Sequence, residues 1–328
     1  MNRIKILYPR IEDDLKQHCP CYNDLGKILA KSTIKKKNYY GREDEIRLLI
    51  SGLQEPFKGL SLANNTASFD LGVSAAKNFL RADPVHLRAD KNRVYLFDSS
   101  SFEIKEDEAT EAISELNKFF KSDLIRFHVG TNPYRWYVEG IESFPIDLPS
   151  PSMLNGLPLE TSINNMLGYR KLKTLISEIQ MLLFDLPLNK SRVKDGSLPI
   201  NSLWLWGGGD LALKFDKKSL VVTDCDIVKA CCCTLSVDLV DFDSTDFSER
   251  ALGESATNLY VGFSSFGDET QVVRRIKFLD FLIEKYHSDR STLIEIISNR
   301  QIFTITFFTK FKFWKSEKVF KNSGIDNN

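Results

Sequence analysis

The chain has 328 residues, of which 42% are hydrophobic and 27% are charged, and these proportions are typical of a globular protein rather than a disordered one. Its 44 basic and 44 acidic side chains give a formal net charge of zero. The composition therefore provides no general attraction for nucleic acid or for an anionic membrane surface.

The sequence predicts a protein that stays in the cytoplasm. Residues 1–10 lack a long apolar run and a small-residue cleavage site, so a secretory signal is not expected. The apolar stretches at 227–240 and 302–308 are shorter than the roughly 20 residues needed to cross a bilayer. Six cysteines in a chain of this length are better explained as reduced thiols than as a disulfide framework. We expect a cytoplasmic protein.

The first 80 residues predict a strand followed by helices. A strand is expected at Ile4–Leu7, before Pro9. One helix is predicted from about residue 23 to 34, and an amphipathic helix is predicted at 43–53.

The segment from 81 to 138 alternates between strands and a helix. Strands at 85–88 and 94–97 flank a polar turn and predict a hairpin. Apolar residues recur at helical spacing from 106 to 120, and acidic residues occupy the first turn, as the helix dipole favours. Strands are then predicted at 124–129 and 135–138.

The remainder of the chain continues the same mixture after a loop rich in proline. A long helix is predicted at 163–184, with Pro187 ending it. Later elements are predicted strands at 202–206 and 219–223, a helix at 272–286, and strands at 301–309 and 310–314. The order of the elements favours a mixed α/β fold.

The first candidate ligand site lies on the predicted strand around His86. The period of two residues places His86 and Arg88 on one face of that strand, with Asp83 nearby. A carboxylate, an imidazole and a guanidinium together could bind a phosphate or move a proton. A structural interpretation is equally available, in which Asp83 caps a turn, His86 satisfies a backbone group and Arg88 pairs with Asp90.

The second candidate is the strand end at Trp206, which runs into Gly207, Gly208 and Gly209. Three glycines allow backbone N–H groups to approach a ligand closely, or allow a sharp structural turn. The segment contains neither a dinucleotide fingerprint nor a Walker loop, so it does not indicate nucleotide binding.

The third candidate is a set of arginines, in which Arg135 lies on a strand beside aromatic residues and Arg192 lies in a loop. Arginines that converge from several segments suit a phosphorylated small molecule. Individually, an arginine of this kind is more often a structural or surface residue.

Metal ligands are sparse in the sequence. His18, Cys19 and Cys21 form at most part of a soft-metal site, because no second cluster of cysteine and histidine has suitable spacing. The four histidines are too few and too scattered for a histidine-rich site for two metals. We expect no metal site and no cofactor.

Several of these motifs together carry a resemblance to a known family. They are Arg81-Ala-Asp-Pro-Val-His-Leu-Arg-Ala-Asp90, Asn117, Arg135-Trp-Tyr137, Glu178-Ile-Gln-Met181, Asn189, Arg192 and Asn201-Ser-Leu-Trp-Leu-Trp-Gly-Gly-Gly209. With this pattern, residues 81–210 resemble the RpfE-type family of bacterial proteins, which is associated with the regulation of pathogenicity factors. The C-terminal Phe311-Lys-Phe-Trp-Lys315 also fits that pattern.

The same stretch more remotely resembles the archaeal-type cofactor-independent phosphoglycerate mutases of the alkaline-phosphatase superfamily. The motifs shared with those mutases are the segments 83–88, 134–135 and 204–207, in that order. The resemblance implies an α/β fold with an alkaline-phosphatase-like mixed sheet core flanked by helices, built from 1–80 and 200–328. It also implies an inserted, smaller α+β cap-like domain at 81–199 whose arginines bind phosphate.

The sequence departs from those mutases where their catalytic metals would bind. The family uses two divalent metals held by aspartate and histidine clusters, together with a serine or threonine nucleophile. Here the first strand runs into Tyr8-Pro9-Arg10 with no aspartate, and the C-terminal region offers only His287. The leading hypothesis is therefore a catalytically diverged relative that binds a small anionic or phosphorylated metabolite. The alternatives are an active metal-dependent phosphomutase or phosphatase, and a regulatory subunit that binds a protein partner through its aromatic C-terminus.

Overall fold

The computed structural model of the chain describes residues 3–18, 23–36, 62–73, 78–91, 93–141, 148–159, 170–208, 219–225, 228–229, 232–233, 237–244, 258–263, 268–298 and 300–311. The chain divides into two compact units. The split unit comprises Met1–Leu53 and Lys214–Asn328, and the inserted unit comprises Gln54–Leu213. The two are described separately below.

The split unit is built on a seven-stranded mixed sheet with the order β2-β12-β11-β1-β10-β8-β9. The strands are β1 (Arg3–Leu7), β2 (Thr33–Lys36), β8 (Ser219–Thr223), β9 (Asp238–Asp241), β10 (Asn258–Gly262), β11 (Leu293–Ile297) and β12 (Gln301–Ile305). The five strands from β11 to β9 are parallel, whereas β12 runs antiparallel to both β11 and β2. Strand β1 is therefore central, although its partners lie more than 200 residues away along the chain.

One face of this sheet is covered by helices. These are α1 (Ile11–His18), α2 (Asn23–Lys31) and α8 (Glu269–Tyr286). Alternation along β1 turns Ile4 and Ile6 toward this face, where they join a buried apolar cluster with Leu29 and Ile276. Burial of such side chains stabilises the unit by roughly 1.5–3 kcal/mol each.

The inserted unit has a smaller sheet packed with helices. Its strands are β3 (Leu80–Asp90), β4 (Arg93–Phe97), β5 (Arg126–Val129), β6 (Trp136–Glu139) and β7 (Ser202–Trp206). The order is β4-β3-β6-β5, and β7 pairs antiparallel with β3. The helices are α3 (Leu62–Leu71), α4 (Glu106–Phe119), the short α5 (Pro151–Leu154), α6 (Arg170–Asp185) and α7 (Pro187–Lys194), and a 3₁₀ turn follows α4 at Phe120–Asp123.

The prediction of a mixed α/β fold is confirmed, and most predicted strands are present. Strand β1, the β3–β4 hairpin, helix α4 and the β5–β6 hairpin lie where the sequence predicts them. The predicted helix at 43–53 lies outside the described residues, as does the first part of the helix predicted at 163–184.

The helix predicted at 23–34 is too long. Helix α2 ends at Lys31, where the Ser32 hydroxyl donates to the Leu29 carbonyl, and residues 33–36 form β2 against β12. Thr33 and Ile34 are β-branched and favour a strand, so their pairing with β12 replaces the last turn of the helix that the periodicity predicts.

Pro187 ends α6 but also begins α7, so the segment with Arg192 is a helix rather than the predicted loop. Proline suits the first helical turn because its missing N–H has no intrahelical partner there.

The C-terminal aromatic segment also differs from its prediction. Strand β12 ends at Ile305, and Phe307–Phe311 form a 3₁₀ helix rather than a second strand. Phe308 and Phe311 are exposed. A protein partner at this segment stays a prediction.

The inserted unit is larger than the predicted cap at 81–199. It begins at Gln54 and ends at Leu213, and it includes β7, which the resemblance assigned to the core. The reason is hydrogen bonding, because β7 pairs with β3 along residues 202–206. Among the described residues, no helix has both the length and the apolar character needed to cross a membrane.

Candidate functional site

The carboxyl ends of β1, β8, β10 and β11 lie side by side at one edge of the split-unit sheet. Open α/β sheets commonly bind ligands at this edge, where chain connections diverge to the two faces. The residues that follow these strands are Tyr8, Asp224, Phe263 and Ser298. We call Tyr8, Asp14, Asp224 and Arg275 the carboxyl-edge cluster.

The centre of the carboxyl-edge cluster is a buried ion pair between Asp224 and Arg275. The Arg275 guanidinium donates from Nε and Nη2 to Asp224 Oδ2 at 2.8 and 2.6 Å. Both side chains are almost fully buried, at 1% and 2% exposure. The guanidinium also lies 5.6 Å from the centre of the Phe263 ring. A pair held this closely in a dry environment fixes the end of β8 against α8.

Tyr8 lies beside this ion pair, where an aspartate would follow the first strand in a metal-dependent mutase. Its ring packs edge-on against Phe263, with 5.2 Å between ring centres. Burial raises the pKa of its hydroxyl strongly, and the negative charge of Asp14 raises it further. Tyr8 therefore remains a neutral phenol at physiological pH.

Glu12 and Ser298 form a second buried contact at the same edge. The Ser298 hydroxyl donates to Glu12 Oε1 at 2.6 Å, and both residues are buried. Burial raises the pKa of Glu12 above its usual value, although the Ser298 hydrogen bond opposes that effect. Glu12 is thus a carboxyl group whose charge is disfavoured by folding.

This raised pKa predicts a pH-dependent effect of Glu12→Gln. The folded state holds the Glu12 proton more tightly than the unfolded state, so folding is most favoured below the unfolded pKa of about 4.3 and weakens as the pH rises through the folded pKa. A glutamine at position 12 does not ionise, so the variant does not lose stability as the pH rises, and its side-chain oxygen still accepts the Ser298 hydrogen bond. We expect its Tm to match the wild type near pH 4 and to exceed it at pH 7, as measured by calorimetry. Equal Tm differences at both pH values would contradict the assignment.

The metal pair implied by the resemblance does not fit these residues. Among the described parts of the chain, no three histidine, cysteine, aspartate or glutamate side chains come together as metal ligands. Tyr8 stands where a first aspartate is needed, and the Asp224 carboxylate is already engaged by Arg275. A metal ion would have to displace that guanidinium.

In the inserted unit, the structure joins two of the predicted ligand residues, Asp83 and Trp206. The Trp206 indole N–H donates to Asp83 Oδ2 at 2.7 Å, and Arg81 Nη2 lies 2.8 Å from both Asp83 oxygens. The Arg81 guanidinium also lies over the rings of Trp206 and Tyr137. Asp83 therefore serves as the acceptor of a buried network.

Arg135 belongs to a neighbouring network centred on Asp70. Arg135 Nε lies 2.6 Å from Asp70 Oδ2, and its Nη2 donates to Oδ1 at 2.9 Å. Tyr137 and Thr131 donate their hydroxyls to the same carboxylate at 2.6 and 2.8 Å. The Asp70 side chain is fully buried. This network ties the end of α3 to the β5–β6 hairpin and uses the charge of Arg135 internally.

Arg192 is likewise occupied within the inserted unit. Its guanidinium donates to Glu108 Oε2 at 2.7 Å and to the backbone carbonyls of Glu103 and Leu198 at 2.8 Å each. Arg192 therefore anchors α7 to the start of α4.

His86 and Arg88 share the other face of β3 from Asp83, because side chains alternate along a strand. His86 Nδ1 lies 2.9 Å from the Pro199 carbonyl, which requires that nitrogen to carry the proton. Arg88 is exposed, and its guanidinium lies 4.7 Å from the centre of the Phe97 ring. The predicted ligand residues thus fall into separate sets rather than one convergent group.

Gly207 makes a turn at the end of β7. Its φ of +73° is strained for other residues, and its carbonyl accepts a hydrogen bond from the Ala63 N–H at 2.9 Å. This bond joins the start of α3 to the end of β7. Gly208 is half-buried beside this turn, and Gly209 lies outside the described residues.

Three residues of the buried ion pairs described above were not identified as candidates from the sequence, namely Asp70, Asp224 and Arg275. Asp224 directly follows the predicted strand at 219–223, and an acidic residue in that position is a usable signal in a parallel sheet. Arg275 lies within a predicted helix, where an arginine ordinarily faces solvent. Asp70 lies in α3, whose buried face includes Asn65 and Thr66 and therefore lacks a clear apolar stripe.

Comparisons with known proteins give one distant relationship. No protein-family model matches the sequence. The chain is 22% identical over 180 residues to a probable 2,3-bisphosphoglycerate-independent phosphoglycerate mutase of Geobacter sulfurreducens. The aligned segment covers 53% of this chain and 45% of the relative. The chain thus spans less than half the length of that relative, and it is distantly related to cofactor-independent phosphoglycerate mutases.

Two solved structures also align with most of the chain. The PH0037 protein from Pyrococcus horikoshii aligns with a TM-score of 0.49 and 12% identity, covering 93% of this chain and 87% of that one. The cofactor-independent phosphoglycerate mutase from Thermoplasma acidophilum aligns with a TM-score of 0.42 and 17% identity, covering 94% and 90%.

Proposed function

We propose that the chain is an RpfE-type, catalytically diverged relative of the phosphoglycerate mutases that binds a small anionic or phosphorylated metabolite without turning it over. The observation that carries the loss of turnover is the Asp224–Arg275 pair at the carboxyl edge of the sheet. A metal-dependent mutase needs free carboxylates at its metal site. Here a guanidinium already neutralises Asp224.

The exposed guanidinium of Arg88 supports the binding half of this proposal. Arg135 is neutralised by the buried carboxylate of Asp70 and Arg192 by the partly exposed carboxylate of Glu108, so neither guanidinium is available to a phosphate. Arg88 has no carboxylate partner among the described residues, and Phe97 supports its guanidinium. A planar guanidinium held in this way can donate two parallel hydrogen bonds to a phosphate. His86 lies two residues away on the same face.

A thermal-shift screen of phosphorylated three-carbon and sugar metabolites tests the binding proposal. We expect at least one, with 3-phosphoglycerate as the first probe, to raise the Tm of the wild type, since a ligand at 100 times its Kd stabilises by about 2.7 kcal/mol. The shift should be lost in Arg88→Ala and retained in Arg126→Ala, which removes another exposed strand arginine of the same unit. The absence of any stabilising ligand, or equal shifts in both variants, would overturn the proposed binding site at Arg88.

Metal analysis tests the loss of turnover independently. Purified protein supplied with Mn²⁺ or Zn²⁺ is expected to bind no metal pair and to show neither mutase nor phosphatase turnover. Two ions bound per chain together with turnover would establish the alternative, an active metal-dependent phosphomutase or phosphatase.

A further inference from the structure

Lys5 lies at the centre of the split-unit sheet, in a position where an apolar residue is expected. Strand β1 has parallel neighbours on both sides, and central parallel strands are normally continuous apolar runs. The side chain of Lys5 is only 1% exposed, and its Nζ makes no hydrogen bond with the residues that the structure describes. A buried polar group without a partner is rare enough to need a physical explanation.

The neighbours of Lys5 on its face of the sheet are also ionisable. The strand registers place Glu295 of β11 opposite Lys5 on one side and Tyr260 of β10 on the other. Alternation directs these three side chains to the face opposite Ile4 and Ile6. An amine, a carboxyl group and a phenol are thus placed in one row across three adjacent strands.

Lys5 and Glu295 form no ion pair, although they are in register on adjacent strands. The carboxylate therefore does not hold the ammonium in place. Glu295 and Tyr260 are each partly exposed, whereas Lys5 between them is buried. Glu295 and Tyr260 are in contact with solvent, so a small ligand that contacts either of them lies one strand away from Lys5.

Burial also favours the reactive form of the amine. Desolvation lowers the pKa of Lys5, and the charge of Glu295 only partly opposes this effect. A neutral lysine amine is a nucleophile toward carbonyl carbon, and this is how lysines that form Schiff bases are activated.

We propose that Lys5, Glu295 and Tyr260 form a site for a small carbonyl compound, in which Lys5 binds an aldehyde as a Schiff base. The Nζ lone pair forms a bond to the carbonyl carbon, and the carbonyl oxygen takes up the proton that nitrogen loses. Nitrogen then loses its second proton to the same oxygen as the C–O bond breaks, so that oxygen leaves as water and a C=N bond remains. Glu295 is placed to transfer the protons in this exchange. No oxidant or reductant is consumed.

Reductive trapping on the full chain tests this site. The protein is incubated at pH 7 with propanal and sodium cyanoborohydride, which reduces an imine to a stable secondary amine, and modified lysines are located by peptide mass mapping. We expect Lys5 to be modified faster than Lys91, an exposed lysine of the β3–β4 turn, because burial lowers the pKa of Lys5 and so leaves a larger fraction of its amine neutral than an ordinary exposed amine has. Glu295→Gln should slow the labelling of Lys5 and leave that of Lys91 unchanged.

Either of two results would overturn the site. One is that Lys5 remains unmodified while Lys91 is labelled. The other is that Glu295→Gln labels Lys5 at the wild-type rate. Both readouts use protein that retains Lys5, so neither depends on how the fold tolerates a replacement of that residue.

Discussion

Replacing Arg275 by methionine is expected to destabilise the protein by about 3–5 kcal/mol, because it leaves the Asp224 carboxylate buried without a counter-ion. The two side chains are 2% and 1% exposed, so solvent cannot replace the lost partner. Methionine retains most of the apolar length of arginine and isolates the effect of the charge. Urea denaturation, followed by circular dichroism, measures the change in the free energy of unfolding.

Two further variants separate the ion pair from general damage to α8. Arg274→Met alters the adjacent, half-buried arginine, which lies over the Phe242 ring, and we expect a loss below about 1 kcal/mol. The double variant Arg275→Met with Asp224→Leu removes both charges and should recover most of the lost stability. A double variant as unstable as Arg275→Met would show that the buried charge is not the cause.

Replacing Asp70 by alanine is expected to cost about 3–5 kcal/mol in the inserted unit, because one carboxylate satisfies several buried donors. Its loss leaves the Arg135 guanidinium uncompensated and removes the acceptor of the Tyr137 and Thr131 hydroxyls. Denaturant unfolding monitored by tryptophan fluorescence measures this loss, since Trp136 and Trp206 are buried in the same unit.

Matched variants assign the cost to the Asp70 network. Asp123→Ala removes an exposed carboxylate of the same unit and should change stability by less than about 0.5 kcal/mol. Asp70→Asn keeps one of the two acceptor oxygens and removes the charge, and we expect an intermediate loss. An alanine variant as stable as the Asp123 control would contradict a structural role for the network.

Much of the fold could be predicted because local patterns agree with tertiary structure. Helix α4 places its acidic residues in the first turn and its apolar residues at helical spacing, and the β3–β4 hairpin is marked by a polar turn. The pairing of β7 with β3 is a long-range contact, because it joins residues more than 100 positions apart. A single sequence contains no local signal for such a pairing, so the boundary of the inserted unit could not be read from it.

The candidate site was predicted less well, because residue type does not reveal a partner. Arg88, Arg135 and Arg192 have the same chemistry in the sequence, but only the fold shows that Glu108 neutralises Arg192 and that Asp70 neutralises Arg135. Residue chemistry alone therefore made all three candidate phosphate ligands. The buried Lys5 lay within a correctly predicted strand, where a charged residue in an apolar run was a signal that could have been used.

The bond between Ala63 and Gly207 has a consequence for how the chain folds. Strand β1 leaves the ribosome long before its neighbours β10 and β11, and closing so long a loop is entropically costly and slow. Once the inserted unit has folded, the Ala63 nitrogen of helix α3 and the Gly207 oxygen after strand β7 lie 2.9 Å apart. The 143 residues between them, 64–206, then no longer lengthen the loop that separates β1 from β10. The effective length of that loop falls to less than half of its length along the chain, which lowers the entropic cost of pairing β1 with β10.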